Sequence, residues 1–248
     1  DDLPIGANLP DRRLAFTKIA PEIDFNFKKC YARSPISQSV RLRGIYLNED
    51  QIQYSISATP PAGYDMTISP LERTFYEVSY LFNNNRHINA YDFNLTYQGG
   101  DYMNKLQLTG NYHVNISAKK TIDFRFFAGT FLSNTSDHDY RFRMSGWGPQ
   151  GIGNHDYLYD NIFLGRSENT GFLAHQMAVE DGGFKVYSPV GQSNKWLSTL
   201  NVTVPIPGKN KILSLIKFFG DAGIFNTQGL GGARFEYEAG IQIGLVRG

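Results

Sequence analysis

Apolar and polar residues alternate with period two along most of this chain. The clearest run is residues 105–116 (KLQLTGNYHVNI), in which Leu106, Leu108, Tyr112, Val114 and Ile116 share one face. Lys105, Gln107, Thr109, Asn111, His113 and Asn115 share the other, as a half-buried strand requires. Similar alternation places Ile23, Phe25 and Phe27 against Glu22, Asp24, Asn26 and Lys28, and Tyr91, Phe93, Leu95 and Tyr97 against Asp92, Asn94 and Thr96. It recurs in Ile122, Phe124 and Phe126, where Phe127 interrupts the polar face, and in Trp196, Leu200, Val202 and Val204. Near the end, Tyr237, Ala239, Ile241, Ile243 and Leu245 alternate with Glu236, Glu238, Gly240 and Gln242. About 11 or 12 such segments occur, each near the roughly 9–11 residues that a tilted strand needs to cross a bilayer.

The connections fit a meander of antiparallel strands. Residues 83–86 (NNNR), 98–101 (QGGD) and 117–120 (SAKK) read as short turns, and residues 59–70, 133–157, 180–194 and 226–234 as long polar connections. A soluble sandwich also alternates. Strand length, and tyrosines near strand ends such as Tyr76, Tyr91, Tyr97, Tyr102 and Tyr112, favour a membrane barrel with aromatic girdles. The expected fold is therefore all-β, an antiparallel transmembrane β-barrel of about 12 strands, with residues 1–20 leading into a barrel domain over 21–248.

Composition narrows the alternatives. A formal charge of +1 with scattered basic residues gives no nucleic-acid footprint. No stretch approaches the roughly 18 apolar residues of a spanning helix; residues 212–220 (ILSLIKFFG) come nearest and are broken by Ser214 and Lys217. The single cysteine, Cys30, excludes an intramolecular disulfide. Residues 1–4 (DDLP) lack the basic start and apolar core of a signal peptide, so a mature product or fragment is expected.

Candidate chemistry is sparse. The histidines His87, His113, His138, His155 and His175 have no metal-ligand spacing, and acid-flanked His138 and His155 read as parts of a solvated loop. His113, Asn115 and Ser117 share one strand face, which suits a hydrogen-bonded lumenal row better than a nucleophile and base. Gly229-Leu230-Gly231-Gly232 lacks the Lys-Ser/Thr of a phosphate loop. No catalytic residue, metal or cofactor is expected. The lumen candidates carry both signs: Arg41, Arg43, Glu77, Asp92, Asp123, Arg125, Lys217, Asp221, Glu236 and Glu238. Such a mixture suggests ion pairs filling a narrow lumen, whereas a single-sign ring suits a selective pore.

Two resemblances add to this reading. Val204-Pro205-Ile206, then Phe218-Phe219-Gly220-Asp221-Ala222-Gly223, then residues 235–244 (FEYEAGIQIG) resemble the closing strands of the bacterial surface antigen (Omp85) superfamily. Members have an aromatic-x-Asp-Ala-Gly strand followed by an Ala-Gly-x-x-x-Gly strand, and a final aromatic-ended strand that is missing here at Gly248, so that the resemblance implies a fragment. Residues 160–171 (DNIFLGRSENTG) fall where that family carries an inward-folded loop with an Arg-Gly-aromatic tip. The order here is Gly165-Arg166-Ser167, a departure from that tip, and the resemblance implies Arg166 as a lumenal cation set against carboxylates. More loosely, residues 22–28 (EIDFNFK), 124–131 (FRFFAGTF) and 157–167 (YLYDNIFLGRS) are similar to barrel regions that follow M1-type metallopeptidase domains in Bacteroidota. The resemblance implies a non-catalytic outer-membrane barrel that anchors or joins an assembly or translocation complex, with outer-membrane lipid and other outer-membrane proteins as partners. The alternatives are a passive channel, which conductance in planar bilayers would reveal, and the barrel part of a larger membrane-anchored metallopeptidase.

Overall fold

The computed structural model describes residues 15–27, 34–56, 64–117, 120–135, 140–145, 156–161, 179–186, 190–206 and 215–244. Its strands are β1 (Phe16–Ile19), β2 (Glu22–Phe27), β3 (Ile36–Ile56), β4 (Tyr64–Asn84), β5 (Tyr91–Gly100) and β6 (Met103–Ser117). They continue with β7 (Lys120–Asn134), β8 (Phe142–Arg143), β9 (Gln192–Ser193), β10 (Trp196–Pro205), β11 (Ile216–Asn226) and β12 (Arg234–Ile243). Ten form one sheet in the order β1-β3-β4-β5-β6-β7-β10-β11-β12, with β2 also on β3, and β8 and β9 pair separately. Every register in the large sheet is antiparallel. The chain is thus all-β over the described residues.

Closure into a barrel is not seen. Among the described residues β1 and β2 form one edge and β12 the other, and no register joins them. At the first edge, Ala20 and Pro21 separate β1 from β2. Proline lacks the N–H of a ladder bond and is tolerated on an edge; the Pro21 carbonyl still accepts from Gly44 N–H at 3.1 Å. β1 pairs with Tyr46 to Glu49 of β3, so the sheet takes in part of the segment expected to lead into it.

β3 and β4 run for 21 residues each, well beyond the expected strand length. The stretch 59–70 reads as a loop in sequence because it contains Pro60, Pro61, Gly63 and Pro70. In the structure residues 64–70 are already paired with β3, and pairing of β4 with β5 starts only at Phe75. Pro70 therefore lies where β4 has one neighbour, a position that tolerates the missing donor.

The registers sort every strand into two faces. On one lie Ile23, Phe25, Leu42, Val78, Leu95, Leu106, Phe126, Leu200, Phe218, Tyr237 and Ile241, all exposed. We call this the open face. The opposite face carries Glu22, Asp24, Arg41, Arg43, Glu77, Thr96, Gln107, Arg125, Asn201 and Asp221. Residues 140–145, 156–161 and 179–186 fold against it, and we call it the covered face. Its apolar exceptions cluster under those segments. Ile45, Leu47, Phe75 and Met103 bury Tyr140 and Leu158, while Phe127, Leu197 and Phe225 bury Phe142, Met144 and Phe184.

Candidate functional site

Three short segments from the connection between β7 and β10 lie on the covered face, and each is held by polar contacts as well as by packing. Asp156 begins the second segment by accepting backbone N–H groups of Asp160 at 3.0 Å and Asn161 at 2.8 Å. This turn presents Asp160 to the sheet, where it pairs with Arg43 of β3 and Lys18 of β1. Burial would raise the Asp160 carboxyl, but hydrogen bonds from Arg43 and Lys18 hold it below its ordinary value. Tyr159, at φ 53°, stacks on Phe16 with centroids 3.9 Å apart and donates to Glu49 at 2.9 Å. Glu49 also pairs at 2.6 Å with buried Arg73, whose other donor reaches Tyr140 Oη at 3.0 Å.

Tyr157 donates to Gln98 of β5 and lies under Lys105 of β6, whose Nζ stands 5.3 Å above its ring and 5.5 Å above that of Phe142. Burial pushes the Tyr157 phenol up to about 12, with Lys105 pulling the other way. The third segment joins the first through Gly182 N–H to the Arg143 carbonyl at 2.9 Å and Phe184 N–H to the Met144 carbonyl at 2.7 Å. Burial raises Glu180 to about 7, and the neighbouring carboxylates of Asp181 and Asp156 push in the same direction.

The expected lumen residues on β7, β11 and β12 meet these segments. Asp221 of β11 is 2% exposed and pairs with Lys185 Nζ at 2.9 Å. Glu238 lies opposite Asp221 in the register and accepts the backbone N–H groups of Lys185 at 2.5 Å and Val186 at 3.1 Å. One ammonium and two amides thus hold two neighbouring carboxylates. Arg125 of β7 donates to Asn201 at 3.2 Å. Asp123 accepts from Thr121 at 2.8 Å, lies 2.8 Å from His113 Nδ1 and 3.6 Å from Lys217 Nζ. Glu236 shares the face opposite Gly223, apart from the Asp221 cluster. Arg166, His138 and His155 lie outside the described residues.

Among the described residues, the ion pairs join strands to inserted segments or to strands one or two places away in the sheet. Sequence reading missed Lys185, Tyr157, Glu49 and Arg73, whose roles depend on segments folding back onto the sheet. Between the segments and β4–β7 remains a polar cavity of about 600 Å³, lined among others by Glu77, Asp92, Gln107, Asn111 and Arg125. This arrangement can hold chain segments and water by hydrogen bonding. Among the described residues, no group of three or more His, Cys, Asp or Glu side chains could hold a metal ion. No protein-family model matches the chain, and neither does any curated protein.

Proposed function

We propose that this chain forms the wall of an outer-membrane β-barrel, acting without catalysis as a membrane anchor or as a subunit of an assembly or translocation complex. The observation that carries the reading is the inversion of polarity between the faces. Tyr237 is 77% exposed and Phe235 62%, while Asp221 on the covered face is 2% exposed. A soluble sandwich turns its apolar face inward, because removing apolar surface from water drives its folding. Here large apolar side chains stand uncovered from β2 to β12, far more than the isolated apolar residues normal on soluble surfaces.

In this reading lipid covers the open face, and barrel closure joins the edges at β2 and β12, directly or through further strands. The segments on the covered face favour an anchor or assembly subunit over a passive channel, since they occupy the space an open pore would need. The placement of Asp160 and Asn161 against the covered face also suits the inward-folded loop implied by the surface-antigen resemblance. Refolding from urea with and without detergent tests the proposal. Detergent-dependent β structure with heat-modifiable gel migration is expected; a stable, monomeric β fold in plain buffer would overturn it.

A further inference from the structure

In sequence, the connections at one end of the sheet carry charge of a single sign. Four connections meet there: those after β2, β4, β6 and β10, as the registers of Phe27 with Gln38, Ile36 with Asn84, Tyr91 with Tyr112, Ser117 with Lys120 and Pro205 with Lys217 establish. In sequence, residues 28–35 contain Lys28, Lys29 and Arg33; residues 85–90 contain Arg86; residues 118–119 contain Lys119; and residues 206–215 contain Lys209 and Lys211. None of the four contains Asp or Glu. The long connection at the opposite end, residues 135–195, carries both signs.

Beside this cationic end, the open face has a notch. Gly110 of β6 leaves a depression of about 440 Å³ walled by Tyr91, Tyr112, Phe124 and Phe126. A Cβ at Gly110 would meet nothing closer than the Asp92 carbonyl oxygen at 3.7 Å and Phe93 Cβ at 3.8 Å, so packing within the sheet does not demand the glycine. Tyr91 opens β5 directly after the turn that bears exposed Arg86 and His87. That turn is docked on β6 by Asn89 N–H donating to Asn115 Oδ1 at 2.9 Å.

We propose that the notch and this turn bind one anionic glycerophospholipid, its acyl chain lying on Tyr112, Phe124 and Phe126 and its phosphate meeting Arg86. The inference rests on the membrane reading above. Charge selects the occupant. A second copy docking through this end would bring like charges together, whereas an anionic headgroup complements them while its chain fills the apolar notch.

The test uses the whole chain folded into phosphatidylethanolamine bilayers with or without phosphatidylglycerol, and native mass spectrometry to count the lipid released with it. Wild type is expected to retain phosphatidylglycerol over phosphatidylethanolamine by about fivefold or more, following the roughly 1 kcal/mol contributed by each basic residue near an anionic surface. R86E should abolish that preference and R86Q should weaken it, both with unchanged heat-modifiable migration. G110L, which fills the notch, should lower retention of both lipids. Equal retention of the two lipids by a wild-type chain that folds heat-modifiably overturns the site and leaves the membrane reading standing. So does a preference untouched by R86E. Folding in plain buffer overturns the membrane reading itself.

Discussion

Gly183 marks how closely the inserted chain approaches the sheet. Its φ is +67°, and a Cβ there would lie 2.6 Å from Arg125 Nη1 and 3.0 Å from Asn201 Oδ1. G183A is expected to lose on the order of 1–2 kcal/mol from the backbone alone, and more from displacing Arg125. Denaturant unfolding in detergent should show a lower midpoint, and an unchanged midpoint would contradict the packing described. Glu180 supplies a pH dependence in the same segment. Its folded value of about 7 lies above the ordinary 4.5, so its contribution to stability is complete below about pH 4.5 and is lost as pH rises through about 7. Asp156, Asp160 and Asp181 add negative charge around it and Lys105 opposes them. Docking of residues 179–186 should therefore be tighter at pH 5 than at pH 8, by on the order of 3 kcal/mol. Amide exchange in the segment measures this difference, and E180Q should remove most of it.

At the scale of elements, Phe142 of β8 is the apolar pin of the cover. It is 1% exposed, 4.6 Å from the Phe131 ring and 5.7 Å from Phe127. F142A should cost about 3–5 kcal/mol and open residues 140–145 to proteolysis while leaving the large sheet intact by circular dichroism. The same contact explains what was legible in the sequence. Period-two alternation revealed the two faces of β2, β5, β6, β7, β10 and β12, because each such strand has one apolar side. Phe127 broke that pattern, and its reason lies in Phe142, which arrives from a different part of the chain. Asp123, Arg125, Asp221 and Glu238 could be assigned to the polar face from alternation. The partner of Asp221 and Glu238 could not, since Lys185 belongs to a segment without period. The lengths of β3 and β4 were hidden by the turn signals Pro60, Pro61, Gly63 and Pro70, of which Pro70 lies where β4 has one neighbour and tolerates the missing donor.

For the whole molecule, the opposition of faces organises everything else. Ion pairs such as Lys185–Asp221 and Arg73–Glu49 are sheltered under the cover, while rings and aliphatic chains stand outward along the sheet. Such a surface is stable when a partner removes it from water, and in the proposed function that partner is lipid. Quenching by bromine-labelled acyl chains tests this most directly. With Trp147 and Trp196 replaced by phenylalanine, single tryptophans would be placed at Leu95 or Leu200 on the open face and at Asn94 or Thr203 on the covered face. The proposal predicts strong quenching at Leu95 and Leu200 and little at Asn94 and Thr203. Equal quenching at all four positions, or stronger quenching on the covered face, would contradict it.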